Sequence, residues 1–447
     1  MKIMQSVDSP TNSPQTMTLE QLSAVPHLTT ALSGPLQKIE AHLLEHQPRI
    51  ESWLRTQWLE NPAPFYASVD LRNSGYKLAP VDTNLFPAGF NNLNGAFRPL
   101  CIHAVTAARE KFCPEACRVL LIPENHTRNL FYLESLAALR DILQKAGFEA
   151  RIGSLIPDLK EPLRVDLPSG NQVALEPVIR RGNRLELDHY SPCVVLLNND
   201  MTSGRPPLLE GIEQPVVPPM ELGWNNRRKS AHFTHYQDVA REFSGLVDID
   251  PWWIDPLFRN CGEIDFMNRE GEDCLARNAN ILLDAINLKH HEYGIDQTPF
   301  VVVKGDSGTY GMNVMMVQSA DELRQLNRKQ RTKMAVSKEG QKVTRVIIQE
   351  GVPTFETWGP GENAAEPVVY MIDHFVVGGF YRVHTGRGPR ESLNAPGMQF
   401  EPLAFADSCV TPDPQRDPDA EPNRFYAYGV IARLALVAAS RELAELT

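Results

Sequence analysis

The stretch Phe300-Val-Val-Val-Lys304-Gly305-Asp306-Ser307-Gly308-Thr309-Tyr310-Gly311-Met312-Asn313-Val314 carries a β-branched run through one lysine into a loop with three glycines. A second apolar run, Val314 to Val317, follows at once. Two short strands around such a loop make a β-hairpin. Glycines let a backbone approach a polyphosphate closely, their amides can line a pocket for its oxygens, and Lys304 adds a positive charge. A Walker-type loop opens a helix instead. The chain has no G-x-x-x-x-G-K-[ST], and no G-x-G-x-x-G opens a helix after a strand. An ordinary glycine-rich turn uses the same residues, so the loop alone leaves both readings open.

With 447 residues the chain is long enough for two or three domains with substantial cores. A net charge of −11 argues against nucleic acid as a main partner, because phosphate backbones select basic surfaces. The seven cysteines (101, 113, 117, 193, 261, 274 and 409) are scattered, and no spacing resembles a zinc ligand set. Cys113 and Cys117 read as neighbours on a helix face, and reduced thiols are the simplest reading of all seven. No charged-then-apolar leader opens the chain, and no apolar run approaches the ~20 residues of a membrane span. The expectation is a soluble cytoplasmic protein without membrane contact.

Residues 1 to about 17 are rich in Ser, Pro, Thr and Gln and read as a mobile tail, and Thr18-Leu-Glu-Gln21 is a capping box. From Pro35 to Glu60 apolar residues recur at helical spacing, with Pro48 dividing the run into two helices. Residues 118–155 read as a β-α-β unit, and Cys193 to Leu197 as a further strand that runs into Asn198-Asn199-Asp200. Ligands of parallel α/β domains sit at such carboxyl ends. Trp224 to Tyr293 is mostly helical, and His290-His291 read as an exposed helix end. Phe300 to Phe405 is strand-rich, an acidic proline-rich loop runs from Thr411 to Pro422, and an Ala/Leu-rich helix closes the chain. The expected organisation is a tail with N-terminal helices (1–60), a polar hairpin with a parallel α/β domain (61–225), and a nucleotide-binding domain (226–447).

Beyond the glycine loop, Arg345-Val-Ile-Ile-Gln349-Glu350 is a strand ending on an acid. Val368 to Val383 is a strand, a turn at Asp373 and a second strand carrying Arg382, and Arg390-Glu-Ser-Leu-Asn394-Ala follows a short loop later. This order resembles the ATP-grasp ligases, glutathione synthetase in particular. The resemblance implies an α/β (α+β) fold in which Lys304, Gly305, Ser307, Gly308, Tyr310 and Gly311 cover the ATP phosphates. Gln349 and Glu350 would lie at the nucleotide hinge, and Arg382 and Arg390 would bind the transferred phosphate and an acyl phosphate. The strand before Asp373 lacks an arginine that glutathione synthetase carries there, and Lys229 is one candidate for its task. Asp373, in a turn position, reads as a structural cap rather than a metal ligand.

An ATP-grasp domain normally ends in a hairpin with an acid on one strand and E-x-N-x-x-P on the next, which together hold Mg²⁺. Nothing of that kind follows Ala404. The pattern occurs near the N-terminus instead: Ser68-Val-Asp70-Leu-Arg72, a turn at Asn73-Ser-Gly75, then Asp82-Thr-Asn84-Leu-Phe-Pro87. The expectation is a circularly permuted ATP-grasp with Asp70, Asp82 and Asn84 on Mg²⁺, hard oxygen donors that suit this ion. Val69 to Asn92 also resembles the proteobacterial type of glutamate–cysteine ligase. That resemblance implies ATP-dependent joining of the glutamate γ-carboxylate to the cysteine amine, with glutamate, cysteine and ATP as small-molecule partners. Arg72, Asn91, Asn92 and Asn394 are the candidates for substrate binding, although Arg72 could equally pair with a neighbouring acid. Asn198 to Asp200 and Trp224 to Arg228 are further candidates.

Overall fold

The computed structural model describes residues 35–112, 114, 117–125, 128–308, 313–336, 342–402 and 424–446. The N-terminal tail, the Thr18–Gln21 box, Cys113, Tyr310, Gly311, Ala404, Cys409 and the loop Thr411–Pro422 lie outside the described residues.

Among the described residues two helices come first, α1 (Pro35–Glu45) and α2 (Gln47–Glu60), with Pro48 in the first turn of α2, where its missing N–H breaks no helical bond. The turn at Asn73-Ser-Gly75 joins β1 (Tyr66–Asn73) to β2 (Leu78–Asn84). Gly75 takes φ 83°, and its N–H donates to Asn73 Oδ1 at 3.0 Å. Helix α3 (Arg98–Phe112) leads into β3 (Arg118–Pro123), α4 (Leu130–Lys145) and β4 (Glu149–Ser154), a parallel β-α-β unit. Asn129 caps α4 by accepting the Tyr132 N–H. Strands β5 (Leu163–Asp166), β6 (Gln172–Pro177), β7 (Ile179–Arg181), β8 (Arg184–Glu186), β9 (Val194–Asn198) and β10 (Val216–Val217) follow. Helix α5 (Lys229–Val247), β11 (Phe258–Gly262) and α6 (Glu272–Glu292) precede the glycine-loop hairpin, β12 (Val301–Gly305) and β13 (Val314–Val317). Short helices α7 (Ala320–Arg324) and α8 (Arg328–Ala335) interrupt the otherwise strand-rich region. Then come β14 (Arg345–Glu350), β15 (Thr357–Trp358), β16 (Asn363–Ile372), β17 (Phe375–His384), β18 (Gln399–Pro402) and the helix α9 (Arg424–Ala444).

Four sheets result among the described residues, the smallest of them the β7–β8 pair. One runs β18-β17-β16-β1-β2 and is antiparallel, with β15 at the side of β16. Its centre joins a strand from residues 66–73 to one from residues 363–372, so the N-terminal hairpin completes a C-terminal sheet. The second, β10-β9-β3-β4-β6-β5, is parallel except for its β5 edge. The third, β11-β14-β12-β13, is antiparallel and carries the glycine loop.

The first sheet is buried on both faces, because successive side chains alternate sides. Val69, Leu71, Val369 and Met371 join a core with α9, α5 and α2, whereas Tyr66, Val368, Tyr370 and Ile372 join one with α3 and α4. Val430, Ile431, Ala432 and Leu434 to Ala439 of α9 are all buried, as befits a helix that is apolar all round. Gly351 permits a close approach after β14: a Cβ there would stand 2.2 Å from the Phe300 ring.

Two sequence expectations need correction. His290 is not at an exposed helix end: it is buried, its Nδ1 donates to Gln297 O, and it packs edge-on against Tyr76 and Trp252. Its position on the inner face of α6 outweighs its polarity. Cys117 lies in no helix and immediately precedes β3, whereas Cys113 lies outside the described residues. Among the described residues no helix is long and apolar enough to cross a membrane.

Leu434→Ala, deep in α9, should lower unfolding free energy in denaturant by about 2–5 kcal/mol. Leu59→Ala, at an 80 % exposed position, should stay within about 0.5 kcal/mol of the parent.

Candidate active site

The β1–β2 register sets the first pair of groups. Asp70 lies directly opposite Asp82 and Ser68 opposite Asn84, so Asp70, Asp82 and Asn84 share one face of the sheet. A bulge between Asp70 and Leu71 shifts the register just beyond the acids. Each acid is held by a cation. Arg382 spans Asp70, at 2.8 and 3.3 Å, and Lys229 Nζ lies 2.6 Å from Asp82. Burial pushes the Asp70 carboxyl up against the pull of Arg382, and the neighbouring Glu366 and Asp82 add to the rise. For Asp82 burial works in the same direction, but Lys229 and Lys304 outweigh it and hold its pKa below the ordinary carboxylate value. Thr83, next to Asp82, is fixed from behind. Arg227 donates to its carbonyl at 2.6 Å, His232 Nε2 lies 2.9 Å from its hydroxyl, and Glu442 of α9 holds Arg227 at 2.9 Å.

Arg382 faces Glu366 across the β16–β17 pair, 2.6 Å away. Burial alone would lower its pKa; Asp70 and Glu366 outweigh that and raise it, so the guanidinium stays charged. Glu366 also takes Arg72 Nε at 2.5 Å, and the other two nitrogens of Arg72 donate to the carbonyls of Pro389 and Glu391 at 2.9 and 2.8 Å. Arg72 thus pairs with a neighbouring acid, has a partner on each of its three nitrogens and fixes the loop that carries Arg390, while it also lines the first cavity described below. Arg390 itself lies over the Phe300 ring, 5.7 Å from the centroid.

On the third sheet Lys304 Nζ donates to Val81 O at 2.9 Å and to Gln349 Oε1 at 2.7 Å, which ties the glycine hairpin to β2. Burial pushes its pKa down to about 8, partly countered by Asp82. Asp306 in the loop accepts the N–H and hydroxyl of Ser230, both at 2.8 Å, so the loop base is anchored to the start of α5. The Glu350 carboxylate takes buried Lys77 at 2.6 Å, Trp252 Nε1 at 3.1 Å and Leu257 N at 3.1 Å, which holds the end of β14 in place beside the first cavity.

Two cavities open along this frame. The first lies between the third and first sheets. It is lined by Phe300, Val302, Met316 and Val352 on an apolar wall and by Lys304, Gly305, Ser307, Gly308, Gln349 and Glu350 at the glycine loop and hinge. Arg72, Lys229, Glu366, Arg390 and Ser392 complete it. The second is lined by Asn84, Asn91, Asn92, Glu124, Asn129, Asp200 and a set of aromatic rings that includes Phe86, Phe131, Tyr370 and Phe400. Asp70, Asp82, Arg382 and Asn394 line both, so the cavities meet at the two acids. Every described residue named for ATP, the metal or first-choice substrate binding therefore lies on one cavity or the other; Tyr310 and Gly311 lie outside the described residues.

Other candidates fall elsewhere. Asn198 donates to Pro87 O, and Asn199 bonds Pro123 O and Met201 N, so both serve the backbone; only Asp200 of that trio reaches a cavity. Trp224 is buried beneath Lys229 and Arg227, and neither Trp224 nor Arg227 lines either of these two cavities. Asp373 takes Lys111 on both carboxylate oxygens at the far end of the β16–β17 hairpin, in agreement with a cap. Sequence reading missed Glu366 and Glu124. A single acid inside the apolar run of β16 was the available signal for Glu366; Glu124 follows β3 at its carboxyl end, a position that carries ligands in parallel sheets.

A family model described as Glutamate-cysteine ligase matches residues 40–443. The chain is 60 % identical to a protein of Methylobacillus flagellatus KT whose crystal structure carries the provisional name gamma-glutamylcysteine synthetase. The match covers 95 % of this chain and 99 % of that one, with a TM-score of 0.87. A glutathione synthetase-like effector of Globodera pallida, in the apo form, matches at 9 % identity over 82 % of this chain and 81 % of its own, with a TM-score of 0.34. No curated protein matches the chain.

Asp82→Ala should leave the circular dichroism spectrum and thermal unfolding close to those of the parent while lowering ATP-dependent turnover at least about a hundredfold. Parental activity in that variant would remove the acid pair from the site. Lys304 should lose its proton as pH rises through about 8, so ATP binding, measured calorimetrically without amino acids, should weaken above that pH. Lys304→Arg, which keeps its charge, should abolish that dependence.

Proposed function

This chain belongs to the glutamate–cysteine ligase family, and from that premise we propose that γ-glutamylcysteine forms through a γ-glutamyl phosphate where its two cavities meet. The observation that carries this reading is the shared edge of Asp70, Asp82, Arg382 and Asn394, which touches a phosphate-type pocket on one side and a polar pocket on the other. The enzyme is an ATP-dependent ligase. ATP takes the first cavity, its base against Phe300, Val302, Met316 and Val352 and its phosphates against Lys304 and the glycine loop. Glutamate and cysteine take the second.

A carboxylate is a poor electrophile, so its oxygen first attacks the γ-phosphorus of ATP and ADP leaves. Charge then spreads over the phosphoryl oxygens, and positioned cations are what such a transition state requires. Lys304, Arg382 and Arg390 meet that need, and Lys229 is the further cation beside Asp82. The cysteine amine next attacks the acyl carbon, and phosphate leaves. Asp70, Asp82 and Asn84 offer an all-oxygen donor set that fits Mg²⁺; they would hold the ion, which supplies charge neutralisation at the nucleotide phosphates. In this reading the β1–β2 hairpin is the metal-binding hairpin of a circularly permuted ATP-grasp fold, supported by its pairing with β16 rather than with a later strand. The need for ATP and a free thiol places the reaction in the reducing cytoplasm.

Phosphate release from Mg-ATP by the purified protein tests the proposal. Release that requires glutamate and cysteine together, with hydroxylamine trapping a γ-glutamyl hydroxamate when glutamate is present alone, is the expected result. Release without any trapped acyl species would overturn the intermediate, and release with a different acid and amine would overturn the substrate pair.

A further inference from the structure

We propose that His42, Glu45 and His46 form a binding site for a divalent transition-metal ion, Zn²⁺ foremost, separate from the cavities described above. These residues stand at i, i+3 and i+4, a spacing that puts three side chains on one helix face. Although α1 ends at Glu45, helical bonding passes through the junction: His46 N–H donates to His42 O and Ile50 N–H to His46 O, both at 3.0 Å. One ligand atom from each of the three side chains lies within 4.8 Å of the others.

The hydrogen bonds prepare both imidazoles as ligands. His42 Nε2 donates to Val247 O, and His46 Nδ1 donates to His42 O at 3.0 Å. A carbonyl oxygen can only accept, so each ring carries its proton on the bonded nitrogen. The lone pair is thereby left on His42 Nδ1 and on His46 Nε2. Metal-ligating histidines commonly donate their second ring nitrogen to a carbonyl in this way, which fixes ring and tautomer before the ion arrives. The rings lie 4.2 Å apart, and half-buried histidines beside an exposed Glu45 leave the ion a route in. Two imidazoles and one carboxylate suit Zn²⁺, unlike the all-oxygen set at Asp70 and Asp82.

The place of the site gives it a consequence. Val247, which His42 bonds, is the last residue of α5, and Lys229, which bonds Asp82, is the first. Helix α5 is nineteen residues long, about 28 Å, so the ion would fix the His42 ring that ties the N-terminal helices to the far end of the element that positions Lys229. It is a structural site, not a second reaction centre.

The test is calorimetric titration of ZnCl₂ into untagged full-length protein in excess Mg²⁺, which occupies the oxygen-donor centre. The expected result is one equivalent bound at micromolar concentration or tighter, with His42→Gln and His46→Gln each weakening it at least about tenfold and leaving ligase activity unchanged. Glu45→Ala, at an exposed position, gives the same reading if either histidine variant unfolds. No binding at micromolar Zn²⁺, or equal binding in all variants, would overturn the site.

Discussion

The pairing of β1 with β16 is the constraint on which the rest of the molecule depends. It joins residues about three hundred positions apart, and every group at the junction of the cavities is placed by it. Asp70 comes to face Val368, Asp82 faces Asp70, and Arg382 reaches Asp70 from the next strand but one. Such a contact carries a loop-closure cost, and the cores on both faces of the sheet offset that cost. A one-residue slip would turn the acids into the α9 core and the apolar residues into the cavity.

The ion pairs at this junction are matched but not idle. Asp70, Asp82 and Glu366 stand among Arg72, Arg382, Lys229 and Lys304, and most of these pairs are at least half-buried. Buried charges stay charged only with partners, because desolvation costs more than a single pair returns. In our reading of the reaction, nucleotide phosphates and a metal ion bring both signs of charge together. The cations can turn from carboxylates to phosphates while the acids turn to the metal, and no charge is left bare. Arg72 stands outside that exchange, since two of its three bonds go to the backbone of the Arg390 loop.

A similar division separates Lys77 and Glu350 from the reacting groups. Lys77 is fully buried, lies 4.4 Å from the Trp252 ring centroid and pairs with Glu350, so the hairpin that holds Asp70 and Asp82 is pinned to the end of β14. Removing either charge alone would strand the other in an apolar setting, which is far more damaging than removing both. The first and third sheets are thus tied by two lysines, Lys77 from β2's side and Lys304 from β12. Between these ties lies the first cavity.

The sequence by itself determined the local parts. Glycine spacing after a β-branched run specified the Lys304 hairpin, Pro48 divided the first two helices, and the Asn73-Ser-Gly75 turn set β1 against β2 with Asp70 and Asp82 in reach. Each is legible because its cause lies within a few residues: a forced φ, a missing N–H, a period of two. Only the tertiary structure decided which polar residues face a cavity and which face the protein. Arg72 and Arg382 look alike in sequence, yet Arg72 lines one cavity with two of its bonds on backbone carbonyls, whereas Arg382 meets both cavities. Glu350 was legible as the acid that ends β14, but its partner Lys77 lies 273 positions away, and His290 is buried only because α6 lays that face against Tyr76 and Trp252. Burial and pairing are properties of contacts between distant segments, and no local rule of the chain encodes them.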